Sequence, residues 1–348
     1  MRSLDMRDLV DKLAQQRVLG REEFKALMGC DDDYLFARAR EARQGAYGKQ
    51  VFMRGLIEFT NYCKNNCYYC GLRVGNARAK RFRMGLAQIL DCCQTGYRAG
   101  FRTFVLQGGE DPYFTDEILA PIVAEIRQTY PDCAITLSLG ERSFASYQRL
   151  FGAGADRYLL RHETAHAAHY QRLHPRGMSL QNRKACLGHL KQIGYQVGCG
   201  FMVGSPGQTV SYLVDDLLFI HGLRPQMVGV GPFLPHSDTV FAQEPAGDLR
   251  LTLNLLAILR LMRPDLLIPA TTALGTLHPN GRELGVLAGA NVVMPNLTPG
   301  DMRQKYRLYD HKISDGEAAA ECVENMDRRM KAIGYELTVS RGDPICIA

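Results

Sequence analysis

The sequence predicts an α/β protein, a (β/α)8 TIM-type barrel with an N-terminal helical extension and short C-terminal additions. Three observations lead there. Eight short β-rich runs follow one another from residue 51 onward, amphipathic stretches separate them, and the residues able to do chemistry stand where the runs end. A doubly wound open sheet alternates in the same way, and the count of eight favours the barrel.

Residues 1–50 read as a helical preface. Leu9, Val10 and Leu13 recur at helical spacing, and Gly20, Gly29 and Gly45 punctuate the run. The strands begin with VFMRGLIEFT from Val51, TFVLQG from Thr103, AITLSLG from Ala134 and RYLLRHE from Arg157. They continue with QVGCGFMVG from Gln196, MVGVGPF from Met227, LIPATTA from Leu267 and NVVMPNL from Asn291. Between them, segments such as DEILAPIVAEIRQTY from Asp116 have the periodicity of helices that cover a parallel sheet. The expected division is an extension over 1–50, a barrel core over 51–310 and a C-terminal segment over 311–348 packed on the barrel.

With 46% hydrophobic and 22% charged residues, the 348-residue chain can bury a large core. The net charge of +6 is modest, and Lys and Arg are spread along the chain, so nucleic acid is not an expected partner. The N-terminus interrupts every apolar run with acidic residues, unlike a signal peptide. The apolar stretch from Leu251 to Met262 contains Asn254 and Arg260 and is too short for a bilayer. A cytoplasmic protein without membrane attachment is expected.

Eleven cysteines in such a chain point to metal ligation or burial rather than a disulfide framework. Apart from the adjacent pair Cys92 and Cys93 the others stand singly, and only Cys63, Cys67 and Cys70 form a ligand-like cluster, as C-x3-C-x2-C just after the first strand. Three thiolates from one loop suit a [4Fe-4S] cluster with one iron left open for a substrate. A zinc ion completed by a distant His, or three buried thiols, is the plainer alternative. Structural zinc usually uses two paired knuckles, and no second C-x2-C exists.

In this spacing and position the sequence resembles the radical S-adenosylmethionine (SAM) superfamily. The resemblance implies a cluster that cleaves SAM reductively to a 5′-deoxyadenosyl radical. It also implies that Tyr69 lies against the adenine, and that Gly108, Gly109 and Glu110, a GGE motif, bind the amino group of the methionyl part. Arg161 and Glu163, on one face of the fourth strand, then pair with the zwitterionic cofactor, with Ser138 and Arg183 at its ribose and carboxylate. An internal ion pair is the plainer reading of Arg161 and Glu163. His162 should point the other way and pack.

The phrases CYYCGLR, LQGGEDPY, TLSLGE, YLLRHETA, MVGSPGQT, VGVGPFLPHSDT, PATTALGT and NVVMPN resemble the HydE-type maturases of FeFe-hydrogenase over residues 45–310. That resemblance implies a substrate cavity formed by Arg54, Gln107, Arg157, Met227, Thr271, Thr272, Met294 and Tyr306. Its expected occupant is a sulfur-containing substrate, a cysteine-bound iron carbonyl cyanide. Further expected partners are an electron donor protein and, transiently, other hydrogenase maturases. Some relatives carry a second cluster at C-x7-C-x2-C near the C-terminus; here only Cys322 remains, with Ser314 and Asn325 in the other places, so one cluster is expected. Methylornithine synthase-like or biotin synthase-like enzymes, and a non-enzymatic iron-sulfur carrier, are the competing readings.

Overall fold

The computed structural model describes residues 5–313 and 319–345. Ahead of the first strand lie three helices, Met6–Gln16, Arg21–Met28 and Tyr34–Tyr47. Each buries one apolar stripe, with Leu9, Leu13, Phe24, Leu27 and Leu35 inside. The side chain of Asp5 caps the first helix by accepting from Arg7 N at 2.9 Å. These helices pack on the helix Leu249–Met262, which also contacts the barrel. Being covered on both sides explains why that helix is apolar almost all round. Two of its buried polar residues bond inward: Asn254 Nδ2 donates to Met28 O and Cys30 O, and Arg260 donates to Gly289 O and Leu266 O. No helix among the described residues is long and apolar enough to cross a membrane.

The strands are β1 Gln50–Met53, β2 Gly55–Thr60, β3 Thr103–Gly108, β4 Ala134–Ser138 and β5 Arg157–Leu159. They continue as β6 Gln196–Val203, β7 Met227–Pro232, β8 Val292–Val293 and β9 Glu336–Thr338. β2 to β7 form one parallel sheet in sequential order, and β1 lies between β8 and β9 in a second. The register aligns Glu58, Gln107 and Ser138 across β2, β3 and β4, so one rank of polar side chains faces the same side.

The ring is completed by single bridges rather than by ladders. Met227 bridges Leu267, Pro269 bridges Val292, and Leu56 bridges Asn296. Backbone bonds accompany them, such as Ala270 N to Val292 O at 2.9 Å and Leu56 N to Pro295 O at 2.9 Å. The fold is therefore the expected TIM-type barrel, with two corrections. The run from Val51 is not one strand but two, divided at Arg54. The run from Leu267 forms no ladder: Pro269 has no N–H to donate, and Thr271 already caps the helix Thr272–Leu277. The C-terminal helix Ala319–Ala332 is followed by β9, which adds to β1 in parallel.

Candidate active site

β2 delivers the chain into the segment 61–84, which holds its shape through side-chain bonds to its own backbone. Asn61 Nδ2 donates to Lys80 O at 2.8 Å and to Lys305 O at 2.9 Å, and its Oδ1 accepts from Phe82 N at 2.7 Å. Arg81 donates to Leu72 O at 2.9 Å and to Arg73 O at 2.8 Å. Asn76 Nδ2 donates to Gly71 O at 2.8 Å. Cys63, Cys67 and Cys70 are carried on this frame, all partly exposed.

Their surroundings are hostile to free thiolates. Burial, then the neighbouring Cys70 and Cys63, raise the Cys67 thiol well above its ordinary value; burial, then Cys63, push Cys70 up to about 12. Burial likewise raises Cys63. Three thiols raised together by burial, two of them further by a neighbouring cysteine, are a set that iron would neutralise together. Among the described residues no three His, Cys, Asp or Glu converge on one ion position. In a cubane each thiolate takes its own iron, so the donor set fits a [4Fe-4S] cluster.

The strand ends close around the loop. A Cβ on Gly109 would stand 2.2 Å from Tyr62 O and 2.7 Å from the Cys63 Cβ, so only glycine lets β3 approach the cysteine loop. Gly140, at φ +75°, faces the Glu110 side chain in the same intimate way. Glu110 does not line the pocket. Its Oε1 accepts from Glu141 N at 3.0 Å, and its carboxylate lies 3.5 Å from Lys64 Nζ and 4.0 Å from Arg183. Gly109 and Glu110 thus buttress the loop, whereas Gly108 lines a pocket of about 280 Å³ next to Cys70.

Tyr69, Ser138, Arg161, Glu163 and Arg183 line the same pocket. β5 ends at Leu159, yet the chain continues along β6 until Glu163, which bridges Phe201. Glu163 N donates to Gly200 O at 3.0 Å, and Met202 N donates back to Glu163 O at 3.3 Å. These bonds hold Glu163 at φ +64°, a region that glycine favours. Arg161 Nη2 lies 3.2 Å from Glu163 Oε2, and Arg161 Nε has no hydrogen-bond partner. His162 points away, as the alternation requires: it is fully buried, with Nε2 3.1 Å from Asp216 Oδ1. Arg183 pairs with Glu141 at 2.6 Å and donates to Arg161 O at 3.3 Å. Burial alone would lower its pKa; Tyr170, Glu141 and Glu110 hold it above its ordinary value.

Of the expected substrate residues, Gln107, Thr271 and Tyr306 line this pocket, with Gln107 Nε2 donating to Tyr306 OH at 3.3 Å. The other five stand elsewhere. Thr272 opens a helix, and its carbonyl accepts from Thr276 Oγ1 at 3.0 Å. Met294 packs with Tyr47, Phe52 and Met227. Arg157 is a correction: its guanidinium donates to Gln196 Oε1 at 2.7 Å, Arg341 O at 2.8 Å and Asp343 Oδ1 at 2.7 Å, which commits it to the C-terminal segment. Arg54 differs from Arg157. It is buried, donates through Nη1 to Met227 Sδ at 3.0 Å, and leaves Nε and Nη2 without a partner.

Residues 57–220 match the model of the Radical SAM superfamily. The chain is 45% identical over 332 residues, 94% of each protein, to the [FeFe] hydrogenase maturase subunit HydE of Thermotoga maritima. The chain belongs to the HydE family of radical SAM proteins. It is also 28% identical to the 3-methylornithine synthase of Methanosarcina barkeri, over 94% of this chain and 93% of that one. The crystal structure of methylornithine synthase (PylB) superposes with a TM-score of 0.84 at 27% identity, covering 95% of this chain and 97% of that one.

HydE-family membership implies a [4Fe-4S] cluster and SAM, and the pocket fits the second group as the loop fits the first. An unpartnered guanidinium N–H on Arg161, the Glu163 carboxylate and the Ser138 hydroxyl offer opposite charges and a hydroxyl to a zwitterionic amino acid bearing a ribose. Two contributors are not visible in the sequence pattern. Glu141 anchors Arg183, and His174 Nε2 meets Tyr69 OH at 3.3 Å while its Nδ1 bonds Tyr170 O at 2.9 Å. Four histidines between positions 162 and 174 were the available signal.

Proposed function

We propose that Cys63, Cys67 and Cys70 hold the [4Fe-4S] cluster of a HydE-type hydrogenase maturase, with SAM seated on Gly108, Ser138, Arg161, Glu163 and Arg183 beside Tyr69. Bound there, the cluster supplies one electron to SAM, which parts into methionine and a 5′-deoxyadenosyl radical. The chain's own residues position and enclose. Arg161 and Glu163 orient the charged methionyl group, Gly109 lets the strand end close on the loop, and the barrel wall keeps water from the radical.

The substrate reading is a sulfur-containing, cysteine-bound iron carbonyl cyanide, processed during assembly of the FeFe-hydrogenase active-site cluster. Arg54 is the observation that supports an anionic ligand. Burial, then the charge of Arg157, press its guanidinium well below the ordinary value, and two of its donors have no partner. A buried cation with idle donors is costly unless a ligand supplies the missing charge and acceptors. A lysine substrate, as the methylornithine synthases would take, needs an uncommitted carboxylate instead. The carboxylates of Glu58 and Glu163 are already paired, with Lys312 and Arg161.

Anaerobically reconstituted protein is incubated with SAM, a reductant and either a cysteine-bound iron carbonyl cyanide or lysine. The expected result is 5′-deoxyadenosine whose formation accelerates with the iron complex and not with lysine. Acceleration by lysine alone would transfer the chain to the methylornithine reading. No 5′-deoxyadenosine from protein carrying its full iron would mark it as a cluster carrier.

A further inference from the structure

Residues 304–313 close the pocket on the side of the cysteine loop, and Tyr306, Leu308 and Tyr309 line it from this segment. Backbone bonds pin the segment down: Gly71 N donates to Leu308 O at 2.9 Å, Asn61 Nδ2 to Lys305 O at 2.9 Å, and Asp310 N to Pro235 O at 3.0 Å. Lys312, near its end, turns inward. Its side chain is only 9% exposed, and its ammonium pairs with the Glu58 carboxylate, 1% exposed. It also donates to Tyr306 O at 3.1 Å and stands 4.9 Å from the centre of the Tyr306 ring.

Glu58 belongs to the barrel interior. β2 places it in register with Gln107, which is in register with Ser138, and both of these line the pocket. Its second oxygen accepts from Asn296 Nδ2 at 2.9 Å. Tyr306, whose hydroxyl accepts from Gln107, is therefore a wall common to the ion pair and the pocket. Burial, then the charge of Glu58, raise the Tyr306 hydroxyl well above its ordinary value, so the field of the carboxylate is felt at that wall. Stability alone does not account for the pair. Desolvating two charges offsets much of their attraction, and an apolar pair of similar volume would hold the segment equally well. What the pair changes is the sign of the pocket. Both oxygens of Glu58 and the Lys312 ammonium are engaged, Glu163 faces Arg161, and Glu141 holds Arg183, whereas Arg54 keeps two donors idle.

We infer that Lys312 is a specificity-determining residue: its ammonium is a built-in occupant of the cation position beside Glu58, which denies that position to an amine and leaves the cavity to anions. The inference deepens the proposal of an anionic substrate and rests on it. A primary ammonium ligand has to displace one that is tethered to the chain and therefore present at a high effective concentration. An anion meets no free carboxylate. Discrimination thus comes from the exclusion of the wrong charge as well as from the attraction that Arg54 offers the right one. The segment expected to do no more than pack on the barrel supplies the residue that sets this preference.

The test uses the full chain loaded with iron and SAM, and two probes of similar size and opposite charge, propionate and propylammonium, titrated calorimetrically. The wild type should bind propionate and not propylammonium. Lys312→Met leaves Glu58 unpaired, so propionate affinity should fall about tenfold or more, while propylammonium should bind and raise the melting temperature. Adding Glu58→Gln removes both charges; propionate affinity should return to within about threefold of the wild type, and propylammonium binding should vanish. A pair that only staples the segment predicts the opposite for the double variant, which lacks the staple too. An unaltered preference in Lys312→Met, or a folded double variant that does not regain propionate, overturns the inference. If Lys312→Met does not fold, Lys312→Gln, which keeps a donor for Glu58 but not the charge, takes its place with the same expectations. A wild type that binds neither probe would strike the proposal of an anionic substrate, whereas propylammonium binding gained only in the single variant would still uphold the exclusion of amines by Lys312.

Discussion

Glu163 holds its carboxylate 3.2 Å from the Arg161 guanidinium while its own backbone sits at φ +64°. Two backbone bonds to β6 impose that conformation, so the pairing of the two side chains is obtained at the expense of local strain, on the order of 1–3 kcal/mol for a non-glycine residue. The residue proposed to read the methionyl group is thus poorly suited to its backbone position.

Glu163→Gly separates the two effects. Unfolding of the full chain, measured calorimetrically, should occur at the wild-type temperature or above it, because glycine accepts a positive φ. Affinity for SAM, measured by equilibrium dialysis, should fall about tenfold or more, since a charged partner is lost. A variant that binds SAM normally would remove Glu163 from the cofactor site, and a marked loss of stability would show that the strain is not there.

Arg54 makes a second trade of stability against binding. Replacing a buried, half-satisfied cation with an apolar side chain of similar length should stabilise the empty protein by roughly 1–3 kcal/mol. Arg54→Met, beside Met227, is therefore expected to raise the melting temperature. The same variant should still cleave SAM but lose the acceleration by an anionic iron complex. A lowered melting temperature would mean that Arg54 is a structural residue.

Reconstituted wild-type protein should hold roughly four irons per chain, as one cubane requires. Cys322, buried on the helix Ala319–Ala332, is the one cysteine left of the C-x7-C-x2-C pattern; Asn325 occupies another of its places, and Ser314 lies outside the described residues. Cys322→Ser should leave the iron content unchanged, and Cys67→Ala should abolish most of it. Eight irons in the wild type would establish a second cluster.

Much of this was legible in the sequence because the signals were local. The spacing of Cys63, Cys67 and Cys70 marks one loop, the pair Gly108 and Gly109 marks a close approach, and alternation sends His162 opposite to Arg161 and Glu163. What the sequence hid depends on distant residues or on backbone geometry. Arg157 reads as a cavity cation until Asp343, far along the chain, is seen to bind it. The run from Leu267 has β composition, but Pro269 cannot donate to a ladder and Thr271 starts a helix. The left-handed conformation of Glu163 has no sequence signature, since only glycine advertises a positive φ. The anchoring of Arg183 by Glu141, and of Tyr69 by His174, joins segments that lie apart in the chain.

Acid should weaken the fold through buried histidines, and His169 gives the clearest case. It lies in the short helix Ala167–Leu173, 2% exposed, with Nε2 3.3 Å from Ser205 Oγ and Nδ1 without a partner. Burial lowers its pKa to about 4, whereas an unfolded histidine titrates near 6.5. Between those two values the unfolded chain takes up a proton that the native chain refuses. The stabilising contribution is therefore complete above about pH 6.5 and is lost as the pH falls toward 4, at up to about 1.4 kcal/mol per pH unit. His169→Gln removes the titrating group but keeps a polar side chain facing Ser205. Urea unfolding of the full chain at pH 5, 6 and 7 should show a shallower pH dependence in the variant, by most of one proton at pH 5. Equal slopes would mean that His169 is already protonated in the native state or is reached by water there.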